Sequence, residues 1–104
     1  MVNRGDVYWA ELPDEKRRPV LVLTRAQAIP VMSNVTVAYL TRTIRDIPTE
    51  VRLGTADGTP EECVVSLDNL RTVPRAFLGE PITSLSGARM HQVCRALAIA
   101  TGCA

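Results

Sequence analysis

Two polar side chains stand at the ends of apolar segments that are typical of strands. Arg18 and Pro19 open directly into the aliphatic run of residues 20–23, and Thr41 closes a second strand-like run further along the chain. If these two strands pair in an antiparallel manner, the start of one lies beside the end of the other. A permanent cation and a hydroxyl then converge, which is an arrangement suited to gripping a phosphodiester.

The chemistry open to this pair is mainly electrostatic. Arginine is effectively always protonated, so Arg18 is a poor proton acceptor but a strong stabiliser of the charge that develops on phosphate oxygens. The Thr41 hydroxyl adds a neutral hydrogen bond to the same group. RNA carries its own nucleophile in the ribose 2′-OH, so a protein that positions this hydroxyl and stabilises the transition state requires no metal ion.

Further polar residues are placed to extend such a site along a single strand of RNA. Arg42 and Arg45 follow the second strand and continue a basic track. Asp68, Asn69 and Arg71 form a polar cluster after another apolar run. Asn69 is suited to reading a base edge and Arg71 to binding a phosphate. The alternative interpretation of this cluster is a turn or bulge with solvated side chains.

Other catalytic chemistries have less support in the sequence. His91 is the single histidine, which excludes a two-histidine ribonuclease mechanism. A nucleophilic Cys63 requires a histidine partner and an orienting group. The three cysteines show no C-x-x-C spacing, so we expect neither a zinc site nor any other metal or cofactor. Of the adjacent aromatic residues Tyr8 and Trp9, one is expected in the core, and the other is available to stack on a base.

Length and composition indicate one small domain over residues 1–104, with enough apolar residues (46%) for a core. The formal net charge of +1 means that polyanion binding must come from a local patch. Lys16 is the only lysine, so the basic residues are almost all arginines, a bias that codon usage also explains. The sequence contains no apolar stretch of the ~20 residues that a membrane span needs and no secretion signal, so we expect a cytoplasmic protein.

The elements that must position these residues are mostly strands. Alternating or continuous apolar patterns predict strands over 6–12, 18–23, 35–41, 49–53 and 63–73, the last with a bend or bulge. The first two are expected to form a hairpin. Helical spacing near the end predicts one amphipathic helix, capped by Ser84 or Ser86 and stopped by Gly102. Together these elements predict an α+β fold, mainly β, as a small barrel or a strongly bent antiparallel sheet packed by the helix.

Four sequence blocks resemble the MazF/PemK family of toxins over nearly the whole chain. In order they are RGDVYW at residues 4–9, RRPVLVL at 17–23, AYLT at 38–41 and VVSLDNLRTV at 64–73. The first two blocks together are quite specific, and the other two are supporting evidence. The resemblance implies a homodimer with a small SH3-like barrel of the CcdB/MazF type.

The same resemblance implies an activity and a set of partners. It implies the toxin of a type II toxin–antitoxin system, a metal-independent endoribonuclease that cuts single-stranded RNA sequence-specifically. A cognate antitoxin is expected to place an acidic, flexible tail in the RNA groove. The resemblance makes Arg18 and Thr41 the catalytic pair, with 2′-OH attack leaving a cyclic phosphate and a 5′-hydroxyl. The side chains expected to bind RNA are Arg17, Arg42, Arg45, Asp68, Asn69 and Arg71.

Two alternatives and one departure accompany this identification. A CcdB-like toxin of the same fold binds DNA gyrase without nuclease activity, but the presence of both Arg18 and Thr41 counts against it. A noncatalytic SH3-like binding module would need only the strand pattern, and fold analogy does not separate these functions. The segment 13–17 is shorter than the loop of many relatives, so gating of the groove and the preferred cleavage sequence are expected to differ.

Overall fold

A computed structural model, which describes residues 1–103, has one antiparallel sheet as its frame; Ala104, the last residue of the predicted domain, lies outside the described residues. The strands are β1 (Asp6–Ala10), β2 (Arg18–Val22), β3 (Asn34–Thr41), β4 (Glu50–Leu53), β5 (Cys63–Pro74) and β6 (Leu78–Ser84). Two 3₁₀ turns, Thr55–Asp57 and Arg75–Phe77, precede and follow β5, and the helix α1 (Gly87–Ala100) comes last. The predicted α+β class, mainly β with a C-terminal helix, is confirmed.

The order of strands across the sheet is β4-β5-β3-β2-β1-β6. β2 and β3 therefore lie in the middle, while β4 and β6 form the two edges. The sheet is not closed into a continuous barrel, since β4 and β6 do not pair within the described chain. The site residues predicted at the ends of β2 and β3 consequently lie on the two central strands, each of which pairs with a neighbour on both sides.

Each face of the sheet covers its own apolar core, because successive side chains of a strand point to opposite faces. One core contains Leu21 of β2 and is covered by α1 through Val93. The other contains Val20 and Val22 and is covered by the segment after β2 through Ile29. All three of these β2 residues are fully buried, so the prediction of a strand buried on both faces is confirmed.

Strand pairing confirms the predicted neighbours. β1 and β2 form the expected antiparallel hairpin, and β2 pairs antiparallel with β3, with Val20 opposite Tyr39. Continuing that register by two residues sets Arg18 opposite Thr41. In the pairing of β3 with β5, Ala38 lies opposite Leu70 while Tyr39 lies opposite Ser66, so residues 67–69 form the predicted bulge.

The edge strand β6 is the element that the sequence pattern did not predict. It contains Gly79 and Pro81 and lacks an apolar–polar alternation, and both residue types are depleted in strands. It is nevertheless held because it pairs with β1 through an irregular register. Proline is tolerated there since one side of an edge strand has no ladder to complete.

The terminal helix begins and ends as predicted. Of the two candidate caps, Ser86 is the N-cap, because its hydroxyl accepts a hydrogen bond from the backbone amide of Arg89. The Ser84 hydroxyl instead donates to Asp6. Gly102 follows the helix with a φ of 73°, a left-handed conformation that favours glycine. No helix within residues 1–103 is long and apolar enough to cross a membrane.

A charged pair fastens the helix to the turn between β4 and β5. The Arg89 guanidinium donates to Asp57 at 2.9 Å (Nε to Oδ1), and the Gly54 backbone amide donates to the same carboxylate at 2.9 Å. Gly58 follows with a φ of 92°, and a Cβ there would lie 2.3 Å from the Thr83 hydroxyl oxygen. The turn therefore requires both the carboxylate and the glycine.

We expect Asp57→Asn to destabilise the fold in a pH-dependent way. Hydrogen bonds from Arg89 and then from Gly54 lower the pKa of Asp57, so its carboxylate stabilises the folded state above the pKa of the unfolded chain. That contribution is lost as the pH falls through the folded pKa. Urea unfolding at pH 7 should show a loss of about 1–2 kcal/mol, and the difference from the wild-type chain should shrink below about pH 4.

Asp46→Asn is the matched control, because Asp46 is 75% exposed and its contact with Arg52 is 3.4 Å. An exposed pair of this kind contributes about 0–1 kcal/mol. Equal losses in the two variants, or a loss for Asp57→Asn that is the same at acidic and neutral pH, would contradict the role assigned to the Asp57 carboxylate.

Candidate functional site

An open pocket of about 520 Å³ lies where β2 begins and β3 ends. Arg18 and Thr41 both line it, so the two residues predicted from the strand ends do converge. Trp9 of β1 and Cys63 at the start of β5 also line the pocket. The complete lining is Trp9, Arg17, Arg18, Pro19, Leu40, Thr41, Arg42, Thr59, Pro60, Glu61, Cys63 and Ile82.

Arg18 is held by an aromatic ring and a carboxylate. Its guanidinium carbon lies 4.3 Å from the centroid of the Tyr39 ring, and its Nη1 lies 3.5 Å from Glu15 Oε1. The Arg18 side chain is 35% exposed, so it remains reachable from solvent while the ring restricts its position. A positioned cation of this kind can stabilise an anionic ligand without a large loss of side-chain entropy on binding.

Thr41 is oriented by the backbone that follows it. Its hydroxyl oxygen accepts a hydrogen bond from the Thr43 amide at 3.1 Å. A hydroxyl that accepts in this way still has its own proton to donate. Thr41 lines the pocket and is only half-buried, so that proton is available to an oxygen of an anion bound in the pocket.

Residues 13–15, the first part of the short segment 13–17, place two carboxylates against arginines of this face, and we call these three residues the acidic loop. Glu15 Oε2 accepts from the Tyr39 hydroxyl and from Arg71, each at 3.2 Å. Asp14 lies 3.1 Å from Arg71, and the Arg71 hydrogen bond lowers the pKa of the Asp14 carboxyl. Hydrogen bonds to Tyr39 and Asp14 raise the pKa of Arg71, so this arginine stays charged.

Arg71 is thus connected to Arg18 through Tyr39 and Glu15, two residues that the sequence interpretation missed. A weak signal existed for Tyr39, since it lies two residues before Thr41 and therefore on the same face of β3. No local pattern identifies Glu15, because its partners are contributed by strands distant in sequence.

At the rim of the pocket, Arg17 stacks on an aromatic ring. Its guanidinium carbon lies 4.5 Å from the centroid of Trp9, and its contacts with Glu11 and Glu80 are long, at 3.7 and 3.9 Å. Trp9 is half-buried, whereas Tyr8 is 8% exposed and belongs to a core. Trp9 is therefore the aromatic residue available at the surface.

The structure places Arg42 and Arg45 differently. Arg42 lines the pocket and forms an exposed pair with Glu61 at 3.1 Å. Arg45 lies in the connection between β3 and β4 and is not part of the pocket lining. Its backbone amide donates to Glu50 at 3.0 Å. Of this predicted basic track, only the first arginine adjoins the pair at the strand ends.

Asp68 and Asn69 lie in the bulge of β5, outside the pocket lining. The Asp68 carboxylate accepts from the Thr49 hydroxyl at 2.6 Å, and the Asn69 amide donates to the Ser66 hydroxyl at 2.8 Å. Both residues are exposed, so these contacts shape the bulge and leave its polar side chains at the surface.

Other reactive side chains are separate from the pair or are poorly activated. Within residues 1–103, no cluster of His, Cys, Asp and Glu has the arrangement needed to hold a metal ion. His91 is exposed on α1 and does not line the pocket. Cys63 does line it, but burial raises the pKa of its thiol, which keeps it in the weakly nucleophilic protonated form.

The chain matches one protein family over nearly its whole length. Residues 3–101 match the family model described as PemK-like, MazF-like toxin of type II toxin–antitoxin system. The chain is 41% identical over 103 residues to a probable endoribonuclease MazF2 of Mycobacterium tuberculosis, an alignment that covers 98% of this chain and 100% of that protein. It is 40% identical over 101 residues to probable endoribonuclease MazF5 of the same species, covering 96% and 93%.

Solved structures with the same fold include two mycobacterial toxins. Toxin MazF-mt6 of Mycobacterium tuberculosis superimposes with a TM-score of 0.85 at 37% identity, covering 93% of this chain and 96% of that one. An endoribonuclease from a mycobacterial species, solved in complex with its cognate antitoxin, gives a TM-score of 0.88 at 30% identity, covering 98% and 96%.

We expect the thiols to react in the order that their exposure and pKa dictate. Cys94 and Cys103 are exposed, whereas Cys63 is buried with a raised pKa. Iodoacetamide at pH 7.5 should label Cys94 and Cys103 in the native protein and should leave Cys63 largely unmodified, as peptide mass spectrometry can measure. Addition of urea should abolish the protection of Cys63. If native Cys63 is labelled as fast as Cys94, a nucleophilic role for Cys63 must be considered again.

Proposed function

The chain belongs to the PemK-like, MazF-like toxins of type II toxin–antitoxin systems, and we propose that it is an endoribonuclease that cuts single-stranded RNA at the pocket containing Arg18 and Thr41. The family match and the full-length relatives named endoribonucleases support the activity. The convergence of Arg18 and Thr41 in one open pocket is the observation that supports this location. The gyrase-binding alternative is not favoured, because these relatives are named as nucleases.

Arg18 acts on the scissile phosphate as a fixed positive charge. In the proposed reaction the ribose 2′ oxygen attacks phosphorus, the O2′–P bond forms and the P–O5′ bond breaks. The products are a 2′,3′-cyclic phosphate and a 5′-hydroxyl; the 2′-OH proton passes to solvent, and the departing 5′ oxygen gains a proton from solvent. The guanidinium stabilises the charge on the nonbridging oxygens and stays protonated throughout.

Thr41 orients the same phosphate. With its oxygen accepting from the Thr43 amide, the Thr41 hydroxyl can direct its proton to a nonbridging oxygen. The contact limits rotation of the phosphate and so favours the in-line geometry of attack. No group from a metal or cofactor is needed for these steps.

We assign the remaining predicted residues to RNA contacts at increasing distance from the cut. Arg17, stacked on Trp9, and Arg42 adjoin the pocket, so we assign them to phosphates next to the cut. We assign Arg71, which lies beside Tyr39, to the segment of the same RNA strand that flanks the cut. Asp68 and Asn69 on the exposed bulge are candidates for base contacts, and Arg45 is the outermost member of the set.

We further propose that the active form is a homodimer that works in the cytoplasm and is inhibited by a cognate antitoxin. The solved relative in complex with its cognate antitoxin supports the partner. An acidic, flexible antitoxin tail has the charge required to compete for Arg18, Arg71 and Arg42. The same arginines would then serve substrate and inhibitor.

The direct test of activity is to incubate the purified protein with a sequence-diverse single-stranded RNA pool in EDTA and to map the cut ends. We expect a cyclic phosphate and a 5′-hydroxyl at each cut. Arg18→Ala should lower kcat/KM by about 10²–10³-fold because a stabilising donor is removed from the transition state. Thr41→Ala should lower it by about tenfold, since one neutral hydrogen bond is lost.

Arg95→Ala is the matched control, because Arg95 is an exposed arginine of α1 that does not line the pocket and has no assigned role in RNA binding. Circular dichroism should show native folding in every variant. We expect the control to retain most of the activity. Undiminished cutting by a folded Arg18→Ala protein would remove the proposed centre. Arrest of gyrase with no cutting of RNA would support the CcdB-like alternative.

Binding should also weaken as salt increases. Phosphate contacts release counterions, so the logarithm of the association constant for uncleavable single-stranded RNA should fall linearly with the logarithm of salt concentration. Arg17→Ala should make that slope shallower by about 0.7, the value for one phosphate contact on a single strand. Fluorescence anisotropy at several salt concentrations measures both slopes. A salt-independent association constant would contradict an arginine-lined RNA site.

A further inference from the structure

The carboxylate of Glu15 occupies a position that is surrounded by donors from three different strands. Its Oε1 lies 3.5 Å from Arg18 of β2, while its Oε2 lies 3.2 Å from both the Tyr39 hydroxyl of β3 and Arg71 of β5. Two guanidinium groups and a phenol therefore converge on one small oxyanion. This is the donor set that recognises a phosphate as well as a carboxylate.

These donors lie on strands of the sheet, while the group that they bind lies in the connection between β1 and β2. Tyr39 supports Arg18 with the face of its ring and also lies 3.4 Å from Arg71 through its hydroxyl. Glu15 belongs to the exposed acidic loop, and its side chain is 30% exposed. The donors are therefore side chains of paired strands, whereas the carboxylate that they bind is carried by a loop with no strand partner.

The local charge balance supports an exchange of anions. Asp14 and Glu15 together neutralise the two guanidinium charges of Arg18 and Arg71 in the RNA-free protein. A polyanion that approaches this face must first compete with those carboxylates. Ion pairs at a protein surface are individually weak, so a phosphodiester with several contacts can displace them.

We propose that Arg18, Tyr39 and Arg71 form a second phosphate subsite, for the phosphodiester that neighbours the scissile one, and that Glu15 fills it until RNA binds. This inference rests on the proposed endoribonuclease function. Arg18 belongs both to the pocket and to this donor set, so the subsite adjoins the cut. The acidic loop then lowers RNA affinity in the free protein, and loop displacement accompanies binding.

The test compares two variants with the same change of formal charge. Glu15→Gln removes the competing carboxylate, whereas Glu62→Gln removes one that is 65% exposed and contacts Arg52, an arginine outside the proposed RNA site. The probe is a fully 2′-fluoro single-stranded RNA whose 2′-hydroxyl form the wild-type protein cuts. We expect Glu15→Gln to lower the Kd for this probe about fivefold and Glu62→Gln to change it less than about twofold.

A double-mutant cycle then identifies the donors. Arg71→Gln should weaken binding, and in that background Glu15→Gln should lose most of its effect, because the two residues act at one site. Tyr39→Phe keeps the ring beneath Arg18 but removes the hydroxyl, and it should weaken binding about threefold. Thermal unfolding of each variant measures whether the fold is retained.

The possible failures are distinguishable. If the wild-type protein binds and cuts RNA but Glu15→Gln matches Glu62→Gln or weakens binding, the subsite is rejected and the nuclease function stands. The same conclusion follows if the effects of Glu15→Gln and Arg71→Gln are additive. If the wild-type protein neither binds nor cuts RNA, both proposals are overturned.

Discussion

The antiparallel pairing of β2 with β3 is the constraint on which the proposed site depends. Val20 lies opposite Tyr39, and this register sets Arg18 opposite Thr41. A slip of one residue would turn the fully buried side chains of β2 toward the wrong core and would place Arg18 on the other face of the sheet. Burial on both faces therefore fixes the relative position of the proposed catalytic pair as a consequence of folding.

Local charge, rather than net charge, accounts for the proposed function. The whole chain has a formal net charge of only +1, yet Arg18 and Arg71 converge around Tyr39 on one face. The acidic loop neutralises these arginines through carboxylates that lie in an exposed turn. In the proposed subsite, RNA binding exchanges this carboxylate for a phosphodiester, and the affinity for RNA is then expected to depend both on salt and on the loop.

The central frame and the main pair were predictable from sequence because each element has a local signal. Aliphatic runs mark β2 and β3, and Arg18 and Thr41 stand at their ends. β6 was not predictable, since Gly79 and Pro81 disfavour a strand that only its pairing with β1 holds. The role of Glu15 was hidden for a related reason: its contact with Arg71 spans 56 residues of sequence.

Above all, we propose that Arg18 and Thr41 together hold the scissile phosphate. A crystal structure of the protein with an RNA strand that carries 2′-fluoro groups tests it most directly. We expect a phosphodiester within hydrogen-bond distance of both the Arg18 guanidinium and the Thr41 hydroxyl, with the 2′ substituent in line with the P–O5′ bond. An RNA strand bound with no phosphate in reach of this pair would contradict it.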